Sequence, residues 1–149
     1  MNPGASRAAQ KYDPSSWGVA DRTILVVEDE ADLRETLAIA LEHEQFEVRQ
    51  SGNGRDALCL LESSIALPSV ILLDLMMPVM NGATFMRELR ARPRLAQIPV
   101  VVLSAAVQYI ETPGATAAFR KPVSLEVLVR TLRALCAADD EAGPRSAVH

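Results

Sequence analysis

Polar side chains suited to phosphoryl chemistry on a metal close several apolar runs of this chain. Glu28-Asp29-Glu30 follows Thr23-Ile24-Leu25-Val26-Val27, and Asp74 ends Val70-Ile71-Leu72-Leu73. Ser104 ends Ile98 to Leu103, and Lys121-Pro122 closes a run from Thr116 to Phe119. A charge at the end of a buried strand is costly to desolvate unless it meets a cation, a partner or water. Three carboxylates brought together, Glu28, Asp29 and Asp74, repel one another unless a cation joins them. A hard ion with oxygen ligands and open water positions answers that need, and Mg²⁺ fits best. Lys121 and Ser104 then complete a pocket for an anion on the metal, most simply a phosphoryl group. Asp74 is the candidate nucleophile, giving an aspartyl phosphate. Metal and lysine would offset charge on the phosphoryl oxygens, and the serine would donate a hydrogen bond.

Each residue alone has a plainer reading. Acids at strand ends solvate loops or cap helices, Ser104 could be a helix N-cap, and Lys121 could be a surface lysine. Glu30 is assigned to the first turn of the next helix rather than to the metal. The weight lies in the combination.

That combination needs elements that bring the strand ends together. Thr23–Val27, Val70–Asp74 and Ile98–Leu103 are nearly all apolar and β-branched, as in strands buried on both faces of a parallel sheet. Phe46–Gln50 alternates, which fits a strand nearer an edge, and Thr116–Phe119 is a weaker fifth strand. Between them lie helical patterns: Ala31 to about His43, with Leu33, Leu37, Ala40 and Leu41 on one face; a helix from Asn53-Gly54, with Ala57, Leu58 and Leu61 inward; and one after Asn81-Gly82, with Phe85, Met86 and Leu89 inward. Ala105–Ile110 allows only a short fourth helix before Pro113-Gly114. Ser124 is a good N-cap for a last helix carrying Leu125, Leu128, Val129, Leu132, Leu135 and Cys136. Five successive βα units predict an α/β, doubly wound, five-stranded parallel sheet with a shortened helix four. In the flavodoxin-like order 2-1-3-4-5, strands one and three are neighbours at the switch point, where ligands bind.

The chain has 149 residues and a net charge of −4. That length suits one domain. We expect a flexible arm over 1–21, a folded unit over 22–138 and a flexible tail over 139–149. The charge argues against a nucleic-acid partner, since phosphate contacts need clustered Lys and Arg. No apolar run approaches the roughly 20 residues that span a bilayer, and no secretory signal is evident, so no membrane partner and a cytoplasmic location are expected. Cys59 and Cys136 fall in apolar helical patterns and read as reduced core thiols.

With these residues in place, the segment from about Thr23 to Ala138 resembles a receiver domain of the two-component response regulators. The pieces that match are ILVVEDE at 24–30, ILLDLMMPVMNG at 71–82, IPVVVLSA at 98–105 and FRKPV at 119–123. The resemblance implies that Asp74 is the phosphoacceptor and that Mg²⁺ is held by Asp29, Asp74, the backbone carbonyl of Met76 and Glu28, directly or through water. It implies phosphoryl-sensing roles for Ser104 and Lys121 and a cis peptide at Lys121–Pro122. It also implies a switch that assists its own Mg²⁺-dependent phosphorylation and dephosphorylation rather than an enzyme acting on other substrates. The implied partners are a histidine kinase or histidine phosphotransfer protein and an unknown downstream protein. No output domain is evident, so a stand-alone receiver signalling by protein contact is the expectation.

Two departures from the family pattern stand out. Ser104 and Lys121 are seventeen residues apart, roughly five short of the usual spacing, or about one and a half helical turns. The aromatic switch position, three before the lysine, is Ala118. Phe119 is one place later, where strand alternation turns it to the other face. These departures keep an alternative open: a degenerate receiver acting as a phosphorylation-independent scaffold. A phosphatase of the haloacid dehalogenase type needs a second acid two residues after the nucleophile, where this chain has Met76.

Overall fold

Three strands carry the centre of the molecule because their side chains are apolar on both faces. In the computed structural model these are β1 (Thr23–Val27), β3 (Val70–Asp74) and β4 (Val100–Ser104), buried throughout. Residues 22–77, 79–105 and 113–142 are described, the side chains only as far as 138. Two strands with exposed positions flank the centre: β2 (Glu47–Ser51) and β5 (Ala117–Arg120). All pair in parallel in the order β2-β1-β3-β4-β5. This is the expected doubly wound, flavodoxin-like sheet. The expected short fourth helix over 105–110, the arm over 1–21 and the end of the tail lie outside the described residues.

Helices cover both faces, and strand alternation decides which side chains meet them. On one face Leu25, Val27, Ile71, Leu73, Val100 and Val102 pack against α2 (Gly54–Ser63) and α3 (Gly82–Arg90) through Ala57, Leu58, Leu61, Phe85, Met86 and Leu89. On the other, Ile24, Val26, Val70, Leu72, Val101 and Leu103 meet α1 (Ala31–His43) through Ala38 and Leu41. The same face meets α4 (Leu125–Ala142) through Leu128, Val129, Leu132 and Cys136. Among the described residues, no helix is long and apolar enough to cross a membrane.

The helix starts follow local chemistry. The Asn53 and Asn81 side chains accept from Asp56 N–H (2.8 Å) and Thr84 N–H (2.9 Å), satisfying first-turn donors of α2 and α3. Ser124 caps α4 as expected, with its hydroxyl 3.5 Å from Val127 N. Glu30 sits at the N-cap of α1 rather than inside its first turn, and its side chain makes no capping bond.

Other boundaries shift for identifiable reasons. Ile98 N–H donates to the Leu95 carbonyl (3.1 Å), so Ile98 belongs to a turn and β4 begins at Val100. Arg90 holds that turn: its guanidinium donates to the carbonyls of Ala96, Ile98 and Gly114. Phe46 N–H bonds back to Leu41 in the helix end, so β2 begins at Glu47. The last helix runs to Ala142, past the Ala138 boundary read from the sequence. Cys136 is buried as expected, but Cys59 is exposed. With Ala57, Leu58 and Leu61 turned inward, the helical step of about 100° per residue carries position 59 outward.

Candidate phosphoacceptor and metal site

The site is built at the carboxyl ends of β1, β3, β4 and β5. Register brings its members into line. Val27 pairs with Leu73 and Asp74 with Leu103, so Glu28 and Asp74 are adjacent in the next row. Glu28, Asp74 and Lys121 all fall on the parity of the face carrying Val26, Leu72 and Phe119. Their side chains can therefore converge although β4 separates Lys121 from Asp74.

They do converge. Carboxylate oxygens of Glu28, Asp29 and Asp74 lie within 4.8 Å of one another, with Glu28 and Asp74 buried and Asp29 exposed. Lys121 Nζ is 3.0 Å from Glu28 Oε1 and 3.6 Å from Asp74 Oδ1. The lysine therefore rests on Glu28 rather than on the aspartate. Met76 N–H donates to Asp74 Oδ1 (3.1 Å), and Glu30 N–H donates to Glu28 Oε2 (3.2 Å). Ser104, fully buried, ends β4 one residue beyond the register partner of Asp74, and its carbonyl accepts from Lys121 N–H (2.9 Å). The Lys121–Pro122 peptide is cis, as the resemblance implied.

Electrostatics set the state of this cluster. The Glu28 carboxyl is pushed up to about 7. Burial is the main cause and the Asp74 charge adds to it, while the hydrogen bonds from Lys121 and Glu30 oppose it. Glu28 thus holds its proton more readily than an ordinary carboxyl, and a cation arriving there would displace it. The donors fit Mg²⁺ in chemistry, since all are hard oxygens. Two oxygens on one Mg²⁺ are at most about 4.2 Å apart. Any pair farther apart than this must draw closer on binding, or one carboxylate must bind through water. The net charge of three carboxylates and one ammonium suits a divalent ion.

The loop after Asp74 has its own constraint. Gly82 N–H donates to the Leu75 carbonyl (2.9 Å). A Cβ at Gly82 would lie 2.5 Å from Leu75 Cα and 3.1 Å from the Asp74 carbonyl oxygen. The start of α3 thus presses on the backbone that presents Asp74. Gly82 was legible only as part of an Asn-Gly helix start. A second contributor left no sequence signal: Arg34, in α1, donates from Nη1 to the Glu28 carbonyl (2.7 Å). The predicted separation of Ala118 and Phe119 holds, with Ala118 packing on the α2/α3 face and Phe119 on the α1/α4 face. Among the described residues, no aromatic side chain occupies the expected switch position.

Comparison with known proteins agrees with this geometry. The family described as the response regulator receiver domain matches residues 24–133. The chain belongs to that family. It is 36% identical over 129 residues to the sensory transduction protein RegX3 of Mycolicibacterium smegmatis, covering 81% of this chain and 54% of that one. It is 36% identical over 123 residues to the DNA-binding response regulator MtrA of Mycolicibacterium paratuberculosis, covering 79% and 52%. Among solved structures it resembles the response regulator TrrA of Thermotoga maritima in complex with Mg(2+)-BeF. That likeness has a TM-score of 0.68 and 26% identity, over 76% of this chain and 98% of that one.

One expectation is overturned here. The net charge argues against a nucleic-acid partner, yet relatives of this chain are DNA-binding response regulators. The chain spans about half the length of the curated relatives it matches. Its charge of −4 therefore averages over only part of such a protein and cannot exclude DNA for the whole.

Proposed function

We propose that the chain is a phosphorylation switch in which Asp74 accepts a phosphoryl group from a histidine kinase or histidine phosphotransfer protein. The observation that carries this reading is the cluster itself: three carboxylates within 4.8 Å of one another, with a lysine 3.6 Å from the central one. Asp29, Asp74 and the Met76 carbonyl would hold Mg²⁺, with Glu28 binding directly or through water. The ion, when bound, offsets charge on the phosphoryl oxygens.

In the transfer an Asp74 carboxylate oxygen attacks phosphorus. The bond from phosphorus to the donor atom breaks, and its electron pair leaves with the donor. Lys121 moves from Glu28 toward the new phosphoryl oxygens, and the Ser104 hydroxyl donates to one of them. The added charge then biases Ser104 and Lys121 between two arrangements. The relatives' names favour an output that ends at DNA, reached by this chain through protein contact.

The degenerate-scaffold alternative is favoured by the empty aromatic position at Ala118 and opposed by the complete acidic cluster and its lysine. Acetyl phosphate with Mg²⁺ separates the two. The switch predicts a mass gain of one phosphoryl group in the wild type, with acetate released, and none in Asp74→Asn. A wild type that stays unmodified would leave the scaffold reading standing.

A further inference from the structure

The acidic pair Glu28-Asp29 is carried by a loop, and a loop does not by itself aim two carboxylates. Besides the 3.0 Å bond from Lys121 Nζ to Glu28 Oε1, three further hydrogen bonds act on this one. Glu28 N–H donates to the Ser51 carbonyl (3.1 Å), which ties the loop to the end of β2. Glu30 N–H donates to Glu28 Oε2 (3.2 Å). The third is the 2.7 Å bond from Arg34 Nη1 to the Glu28 carbonyl oxygen, short and charge-assisted.

The third bond has a particular leverage. The Glu28 carbonyl and the Asp29 amide belong to one planar peptide unit. Holding that carbonyl restricts rotation of the plane joining the two Cα atoms, and with it the range of directions open to both side chains. The arginine is itself well anchored. Its backbone N–H donates to the Glu30 carbonyl (2.9 Å) at the start of α1. Its guanidinium lies over Gly52, where an added Cβ would be 3.4 Å from Nη1. The side chain is half-buried between the loops that follow β1 and β2.

We propose that Arg34 is a positioning residue for the metal site: it holds the Glu28–Asp29 peptide so that both carboxylates face a divalent cation. This rests on the reading of Glu28 and Asp29 as metal ligands. Positioning and plain electrostatics differ in sign. A nearby positive charge opposes cation binding, so a purely electrostatic role means that removing Arg34 tightens Mg²⁺. A positioning role means that removing it weakens Mg²⁺.

The test is calorimetric titration of Mg²⁺ into the full chain at fixed pH and ionic strength, with thermal melts of the metal-free proteins alongside. Arg34→Met keeps the packed stem and removes the donor and the charge. It is expected to weaken Mg²⁺ about tenfold, the lower end of what loss of an outer-shell partner costs. Arg34→Lys restores a charged donor and is expected to return affinity to within a few fold of wild type. If Arg34→Met does not fold, Arg34→Gln replaces it, with the same expectation of weaker binding. Arg34→Met, or Arg34→Gln in its place, binding Mg²⁺ as tightly as wild type or more tightly overturns the proposal, and a lowered metal-free melting point with unchanged affinity does the same. A wild type that binds no Mg²⁺ overturns the metal-site reading and this inference together, whereas normal wild-type binding with an unaffected variant overturns the inference alone.

Discussion

Gly82→Ala tests how tightly the loop after the phosphoacceptor is packed. An ordinary carbon contact is 3.4–4 Å, but a Cβ here would stand 2.5 Å from Leu75 Cα and from its Cδ2. The Leu75 side chain could rotate away; its Cα cannot. Relief requires about 1 Å of backbone shift in a segment pinned by the Gly82 N–H to Leu75 carbonyl bond. Overpacking of this kind costs about 1–3 kcal/mol. Glycine to alanine in a helix returns up to about 1 kcal/mol. A 2.5 Å approach to a backbone atom belongs at the upper end of that overpacking range, so we expect a net loss of about 2 kcal/mol. At roughly 4 °C per kcal/mol for a domain of this size, the melting point should fall by about 8 °C. Gly52→Ala is the control, because its Cβ meets nothing closer than 3.4 Å. Thermal melts by circular dichroism read both variants, and acetyl phosphate labelling reads the consequence for Asp74, which should be slower in Gly82→Ala. Equal melting points for Gly82→Ala and wild type would refute the packing argument.

Other expectations concern charge, packing and lifetime. The Glu28 carboxyl is raised from 4.5 to about 7, so the metal-free fold binds its proton more tightly than the unfolded chain does. Stability from this group is present below about pH 4.5 and is lost as pH rises through about 7; melts across that window should show the decline, and Glu28→Gln should flatten it. Mg²⁺ affinity should move the opposite way, rising with pH through the same window, as titration calorimetry at several pH values would reveal. Phe119→Ala should cost about 2 kcal/mol, less than a fully buried phenylalanine, because its ring is only partly enclosed on the α1/α4 face. It should leave the rate of acetyl phosphate labelling unchanged. Met76 is exposed and offers no acid or amide to orient water, so the aspartyl phosphate should outlast seconds at neutral pH, measured by loss of the added mass with time.

How much was legible in the sequence follows from where each residue sits. β1, β3 and β4 could be read because burial on both faces leaves runs of Val, Ile and Leu with little else. The doubly wound class followed from alternation with helices, the order 2-1-3-4-5 was one of the arrangements that class allows, and the site followed from knowing that strand ends share one edge. Boundaries failed where a local hydrogen bond outweighed the pattern, as at Ile98, whose apolar side chain is buried while its N–H closes a turn. Cys59 was misread because composition marked it apolar while its angular position on α2 turned it outward. Arg34 and Gly82 were illegible as contributors, since what they do is touch backbone atoms across a loop, contacts that neither helical nor strand periodicity announces. Net charge misled about nucleic acid because it describes this chain alone, which spans about half the length of the DNA-binding relatives it matches. The Glu28–Lys121 ion pair was foreshadowed only as a shared pocket; Glu28 lies one strand farther from β5 than Asp74 does, so its place as the lysine's nearer partner comes from side-chain geometry rather than from strand order.

The central claim is that Asp74 is the phosphoacceptor. Its most direct test is borohydride trapping after brief exposure to acetyl phosphate and Mg²⁺, which reduces an aspartyl phosphate to homoserine, followed by peptide mapping. The account predicts homoserine at position 74 in the wild type, only when Mg²⁺ is present. Homoserine at another aspartate, or a chain with none at all, would contradict it.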